Sequence, residues 1–108
     1  MANSEIKTEI FGLNETTVSD ETKSLVEDIV NKSAKKFSRK INNDAELKVM
    51  IKQYKAAQPD KEHKYSITVH LNFPGETISV DKATDWDLKI AIQKAMKDME
   101  NRLQSIYH

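Results

Sequence analysis

The chain has 108 residues, 38% of them hydrophobic, and its 17 basic and 17 acidic side chains cancel to a formal net charge of zero. That length and hydrophobic share fit one folded domain with a single core, and the lack of cysteine excludes disulfides and thiol chemistry. The sequence also lacks a signal peptide and the roughly 18 consecutive apolar residues of a membrane span, so we expect a single cytoplasmic domain over residues 1–108.

The first two predicted elements are a strand and a long helix. Residues 5–11 alternate between two faces, which predicts a strand. Ser19 is a favoured helix N-cap, and acidic residues follow it in what would be the first turn. Apolar residues then recur at helical spacing, so we predict a helix over residues 20–41 that the pair Asn42-Asn43 ends.

Three further strands are predicted in the middle of the chain. Residues 45–54 alternate between apolar and polar, and residues 64–73 alternate most clearly of all. The pair Pro74-Gly75 is typical of a turn and is followed by a shorter alternating run over residues 76–81. The last two runs therefore predict a hairpin.

A second helix closes the predicted fold. Thr84 or Asp85 is expected to cap it, and a clean apolar stripe continues to about residue 107. The order β-α-β-β-β-α predicts an α+β fold of two layers, in which both helices cover one face of a four-stranded, mostly antiparallel sheet. The other face would meet solvent with Lys48, Lys52, Lys64, Ser66, Thr68 and His70.

Charge is distributed very unevenly along the sequence. Residues 1–28 hold two basic and seven acidic side chains, whereas residues 29–43 hold five basic and no acidic ones. Such a block suits a polyanion, although a solvated lysine-rich helix face is the simpler alternative. We expect all five cations to flank the apolar stripe of the first helix, beside the second helix. They are Lys32, Lys35, Lys36, Arg39 and Lys40.

Signals for catalysis are weak. The three histidines lack the spacing of metal ligands, and no serine or threonine lies in a nucleophile-elbow pattern. Asp85 and Asp87 are better explained by helix capping than as a catalytic carboxylate pair. Trp86 is expected to pack beneath a loop rather than to stack on a base. We therefore expect no enzyme activity, no metal and no cofactor.

Four segments, taken in order and spacing, carry a family resemblance. They are Ile10-Phe11-Gly12-Leu13-Asn14; Val26-Glu27 with Lys32 and Lys35-Lys36-Phe37; Tyr65 to Leu71 with Pro74-Gly75-Glu76-Thr77-Ile78; and Asp87-Leu88 with Ala91-Ile92, Lys94-Ala95, Glu100 and Leu103. Together they resemble the ribosome hibernation-promoting factors, also called ribosome-associated inhibitor or sigma-54 modulation proteins, in their short form. The chain departs from that pattern at Leu13, where a basic residue is usual, and at Lys89, where a tyrosine is common.

The resemblance implies a fold similar to double-stranded RNA-binding domains with an added first strand. It implies binding to rRNA of the small ribosomal subunit, in the channel for mRNA and tRNA, and inhibition of translation in idle ribosomes under stress. It also implies a single ribosome-binding domain without the C-terminal dimerisation domain of long forms. By position, Lys32, Lys35 and Lys36 match family lysines, and geometry adds Arg39 and Lys40. A secondary group of candidates on the second helix comprises Lys89, Lys94 and Arg102.

Two alternatives from other classes stay open. The first is a generic binder of structured RNA. The second is a protein-interaction module, a weak homodimer that uses the open sheet face or the edge of the first or second strand. Neither a membrane nor a small-molecule substrate is expected as a partner.

Overall fold

The computed structural model describes residues 6–41, 44–55 and 63–106, without the side chains of Lys55 and Lys82. No helix in this part of the chain is both long and apolar enough to cross a membrane. The elements follow the predicted order β-α-β-β-β-α, with a short 3-10 turn after the first strand. Their bounds are β1 Ile6–Phe11, α1 Asp20–Ser38, β2 Ala45–Lys55, β3 His63–Phe73, β4 Glu76–Asp85 and α2 Leu88–Ile106.

The strands form one sheet in the order β1-β2-β3-β4. β1 pairs in parallel with β2, starting at Ile6 opposite Ala45. The β2–β3 and β3–β4 pairs are antiparallel, so the expected mostly antiparallel sheet is confirmed. β1 and β4 are the edge strands, and β2 is internal, which removes the second strand as a free dimerisation edge.

Both helices cover the same face of the sheet and enclose the core between the two layers. The inward residues of β3 alternate as predicted, and Ile67, Val69 and Leu71 have no exposed surface. Phe37 of α1 and Met99 of α2 pack in the same buried cluster. Each large side chain buried in this way contributes about 1.5–3 kcal/mol. The two-layer α+β fold is thereby confirmed.

α1 begins as its sequence predicts and ends earlier. The Ser19 hydroxyl accepts a hydrogen bond from the Thr22 backbone N–H at 3.2 Å, which caps the helix. The Ser38 hydroxyl donates to the Lys35 carbonyl at 2.7 Å in the last turn. The chain then turns, and the predicted stop at residues 42–43 lies outside the described residues. Ile41 remains buried although it lies beyond the helix.

Gly12 fixes the course of the chain between β1 and α1. Its φ of +86° is left-handed, and a Cβ at this position would collide with the carbonyl oxygen of Ile51 in β2. The following turn is held by the buried Thr16 hydroxyl, which donates to the Leu13 carbonyl at 2.6 Å. Thr17 N–H donates to Gln53 Oε1 at 2.9 Å. A glycine is therefore required where the loop crosses the sheet.

β4 is longer than the alternation predicts. It pairs with β3 as far as Asp85, opposite Tyr65, because a bulge shifts the register between the Val80–Val69 and Ala83–Ile67 pairs. The bulge places one extra residue on β4 and so reverses which positions face the core.

The N-terminus of α2 differs from the prediction as a result. Thr84 and Asp85 belong to β4, so the expectation that one of them caps the helix is wrong. Asp87 instead caps α2, since its Oδ1 accepts from the backbone N–H groups of Lys89 at 2.9 Å and Ile90 at 3.3 Å.

Candidate nucleic-acid interface

The C-terminal half of α1 presents positive charge to solvent. The buried stripe of this helix comprises Val26, Val30, Ala34 and Phe37. Because successive side chains are about 100° apart around a helix axis, Lys32 points away from that stripe, and Lys35 and Lys36 lie on opposite flanks of the same outward side. Arg39 is the C-cap residue of α1, and Lys40 follows it in the turn after the helix. We call the whole set the α1 basic surface: Lys32, Lys35, Lys36, Arg39 and Lys40.

The two flanks of the α1 basic surface face different elements. Lys36 Nζ forms an ion pair with Glu100 Oε1 of α2 at 2.9 Å. Lys35 instead lines a cleft with Ile6 and Thr8 of β1. The expectation that all five cations lie beside the second helix is therefore wrong, because Lys35 faces β1 rather than α2.

Glu100 is the acidic partner of this surface. The hydrogen bond from Lys36 lowers the pKa of Glu100, partial burial opposes that shift, and the nearby charges of Lys36, Lys97 and Lys40 lower it further. Glu100 thus remains ionised at neutral pH and neutralises one cation. In the described part of the chain, the other four members form no ion pair with a carboxylate. They are Lys32, Lys35, Arg39 and Lys40.

The α2 candidates lie apart from this surface. Lys94 Nζ pairs with Asp85 Oδ2 of β4 at 2.7 Å, and this hydrogen bond is the main cause of the lowered pKa of Asp85. Arg102 Nε contacts Asp98 Oδ1 at 3.4 Å, about 200° around α2 from Glu100. Lys89 is exposed at the helix start.

Lys97 is the cation that sequence reasoning left out of the candidate site. It lies close enough to Glu100 to lower the pKa of that carboxyl, and so borders the α1 basic surface. Its position three residues before Glu100 could have identified it, because residues at that spacing are neighbours on a helix.

The charge pattern of α1 also has a structural cause. Asp20 and Glu21 lie in the first turn, and Lys35 and Lys36 lie in the last turn. Both signs complement the helix dipole, and each such charge is worth about 0.3–1 kcal/mol at an exposed helix end. The basic block therefore contributes to helix stability whether or not it contacts a ligand.

The open sheet face is less basic than the α1 basic surface. On β1 and β2, Lys7 lies opposite Glu46 and Glu9 lies opposite Lys48, so opposite charges alternate. The predicted exposure of the polar residues on this face is confirmed, with Lys52 and Lys64 exposed and the others partly so. His70 Nδ1 is hydrogen bonded to Ser79 Oγ at 2.8 Å.

Trp86 is not buried, contrary to the expectation that it packs beneath a loop. Its side chain is 44% exposed after β4. The Lys64 ammonium lies 5.7 Å from the ring centroid, within the range of a cation–π contact. The ring therefore extends the open sheet face rather than the core.

The described residues contain no cluster of three or more histidine or acidic side chains that could hold a metal ion. Clefts of about 460 and 330 Å³ lie between β1 and α1, and both are open to solvent.

Fold and charge together define a two-layer α+β domain whose helical layer presents a basic surface that Glu100 neutralises only in part, an arrangement suited to a nucleic-acid backbone. A family model described as sigma 54 modulation protein / S30EA ribosomal protein matches residues 11–107. The chain belongs to this family, and its resemblance to the ribosome hibernation-promoting factors is confirmed.

Among solved structures, the crystal structure of the Thermus thermophilus Protein Y N-terminal domain is similar, with a TM-score of 0.61. The alignment covers 94% of this chain and 98% of that chain at 20% sequence identity, a likeness that concerns the fold. A comparison with curated proteins finds no match.

Proposed function

We propose that this protein binds rRNA of the small ribosomal subunit in the cytoplasm and inhibits translation by occupying the channel for mRNA and tRNA. Family membership supports the ribosome as the partner. The observation that carries the proposal is the α1 basic surface, on which four of five cations have no carboxylate partner among the described residues. In this proposal residues 1–108 act as one ribosome-binding domain during hibernation under stress.

The α1 basic surface is suited to the RNA backbone rather than to the bases. A lysine ammonium is a compact charge on a flexible stem, so it neutralises phosphates without reading sequence. Binding would release counterions, and the affinity would fall steeply with salt. Steric exclusion of tRNA and mRNA then requires neither a catalytic residue nor a cofactor.

The proposal is tested by co-sedimentation with ribosomes at increasing salt. The test variant changes to glutamine the four cations of the α1 basic surface that pair with no carboxylate in the described part of the chain, namely Lys32, Lys35, Arg39 and Lys40. A matched control removes the same charge from the open sheet face, at Lys7, Lys48, Lys52 and Lys64. Circular dichroism verifies that both variants fold.

The helix variant should bind more weakly, and the slope of log Kobs against log salt should flatten by up to about 3.6, at about 0.9 for each lost phosphate contact. The control variant should retain most of the wild-type slope. Unchanged binding by the helix variant, or an equal loss in both variants, would count against the α1 basic surface as the contact.

A general binder of structured RNA is the second candidate, because the same surface would fit the phosphates of any duplex. Competition between ribosomes and free duplex RNA separates the two candidates. Displacement at equal phosphate concentration would favour the general binder, whereas selective retention on small subunits favours the ribosomal function.

A further inference from the structure

The outer edge of β1 is available for strand pairing. In the described sheet β1 pairs only with β2, so part of its backbone N–H and C=O groups point outward without a ladder partner. The clefts of about 460 and 330 Å³ adjoin along this edge and share Thr8 and Asn31. The Thr8 hydroxyl donates to Asn31 Oδ1 at 3.4 Å, which places these two side chains at the middle of the groove.

The sequence of β1 is complementary to itself in one antiparallel register. If two copies pair with Thr8 opposite Thr8, Lys7 of each copy lies opposite Glu9 of the other, and Ile6 lies opposite Ile10. Opposite charges that face each other across strands are stabilising, and like charges are destabilising. Moving the centre of pairing by one residue, to Lys7 or to Glu9, would place like charges face to face, so the charges favour the register centred on Thr8 over both of these neighbours.

The charges on α1 are also complementary about a two-fold axis, centred on Asn31 beside Thr8. Glu27 and Lys35 each lie four residues from Asn31, in opposite directions along α1. Lys35 lines the cleft at the Ile6 end of β1, and Glu27 lines the cleft at the Ile10 end. A two-fold axis beside Thr8 would therefore bring Glu27 of one copy toward Lys35 of the other.

We propose that two copies of this chain form a dimer by antiparallel pairing of their β1 strands, centred on Thr8. The two sheets would join into one of eight strands with all four helices on the same face. Ile6 and Ile10, which are half-buried in the single chain, would pack against their counterparts. The inference does not depend on the proposed function, because its test requires no RNA.

Sedimentation velocity over a range of protein concentrations tests the dimer with three charge variants. Lys7→Glu turns both intermolecular pairs into Glu–Glu contacts, and Glu9→Lys turns both into Lys–Lys contacts. Each should raise the dimer dissociation constant at least about fivefold, given cross-strand pair energies. The double variant, Lys7→Glu with Glu9→Lys, restores opposite charges between copies and should recover the wild-type constant.

The double variant also separates association from a loss of monomer stability. Lys7 and Glu9 lie opposite Glu46 and Lys48 within the single chain, so each single variant disturbs one internal pair and the double variant disturbs both. A purely structural effect would therefore be worst in the double variant, whereas the proposal requires recovery. A dimer dissociation constant that stays at the wild-type value in all three variants would overturn the β1 register.

A second readout uses the lack of cysteine in the chain. In the proposed register the two Thr8 Cβ atoms lie about 4.5–5.5 Å apart, so Thr8→Cys should form a disulfide-linked dimer under mild oxidation. Thr77→Cys, on the exposed side of β4, is the matched control and should remain monomeric. A wild-type monomer at every concentration, together with equal cross-linking of the two cysteine variants, would overturn the dimer and leave the edge to another partner.

Discussion

Changing Glu100 to glutamine should strengthen RNA binding, which is the reverse of what a surface substitution usually does. In the folded chain the Glu100 carboxylate holds Lys36 Nζ at 2.9 Å and so neutralises part of the α1 basic surface. The amide keeps the shape of the side chain and frees Lys36 to contact a phosphate. The Lys36 side chain is 55% exposed, so loss of this pair should cost at most about 1 kcal/mol of folding free energy.

The magnitude follows from counterion release. One additional phosphate contact should steepen the slope of log Kobs against log salt by about 0.9, so a fourfold rise in salt should weaken the variant about 3.5-fold more than the wild type. At low salt the variant should bind up to about fivefold more tightly, which corresponds to about 1 kcal/mol. The assay is co-sedimentation with small ribosomal subunits across a salt series.

Glu21→Gln is the matched control, because it removes the same charge from the first turn of α1. At 1.5 Å per residue it lies about 22 Å along the helix from Lys36, beyond the screening length at physiological salt of about 8 Å. An unchanged slope for the Glu100 variant, or an equal gain in both variants, would refute the argument that Glu100 locally neutralises the binding surface.

Two further predictions concern the fold. Gly12→Ala should lower the free energy of unfolding by about 1–3 kcal/mol from backbone strain and by more from the collision with the Ile51 carbonyl. Gly75→Ala has a similar φ of +87° but no atom within 4 Å, so equal losses of the two variants in urea unfolding would contradict the steric argument. Thermal stability should also fall as the pH drops below the ordinary glutamate pKa of 4.5. The pKa of Glu100 is lowered in the folded chain, so this carboxyl stabilises the fold only while it is ionised. In the Glu100→Gln variant the melting temperature should fall less as the pH is lowered. An equal fall in the melting temperatures of variant and wild type would show that other groups control the acid sensitivity.

The parts of the fold that the sequence predicts are those encoded locally. β3 buries every second residue because its two faces meet different surroundings, and that alternation is visible in the sequence. The α1 cap at Ser19 and the helical stripes follow from equally local rules. Such signals identify each element and its buried face.

Tertiary pairing decides what the sequence does not show. A sequence predicts the end of a strand where the alternation of apolar and polar residues stops. In β4 the bulge interrupts that alternation, and only the pairing with Ile67 and Tyr65 shows that the strand continues. Ion pairs between elements are hidden for the same reason. The sequence places Lys94 among the RNA-binding candidates, but its contact with Asp85 depends on how α2 crosses β4.

The irregular register of β4 also bears on how far this sheet can extend. A strand with an extra residue offers an incoming chain a broken row of hydrogen-bonding groups and a stronger local twist. Addition of a further strand next to β4 is thereby disfavoured. At the opposite edge of the sheet, a single two-fold contact through β1 would leave no free strand edge. Assembly through backbone pairing would then stop at a closed pair, and the molecule is protected from the open-ended stacking that leads to fibrils.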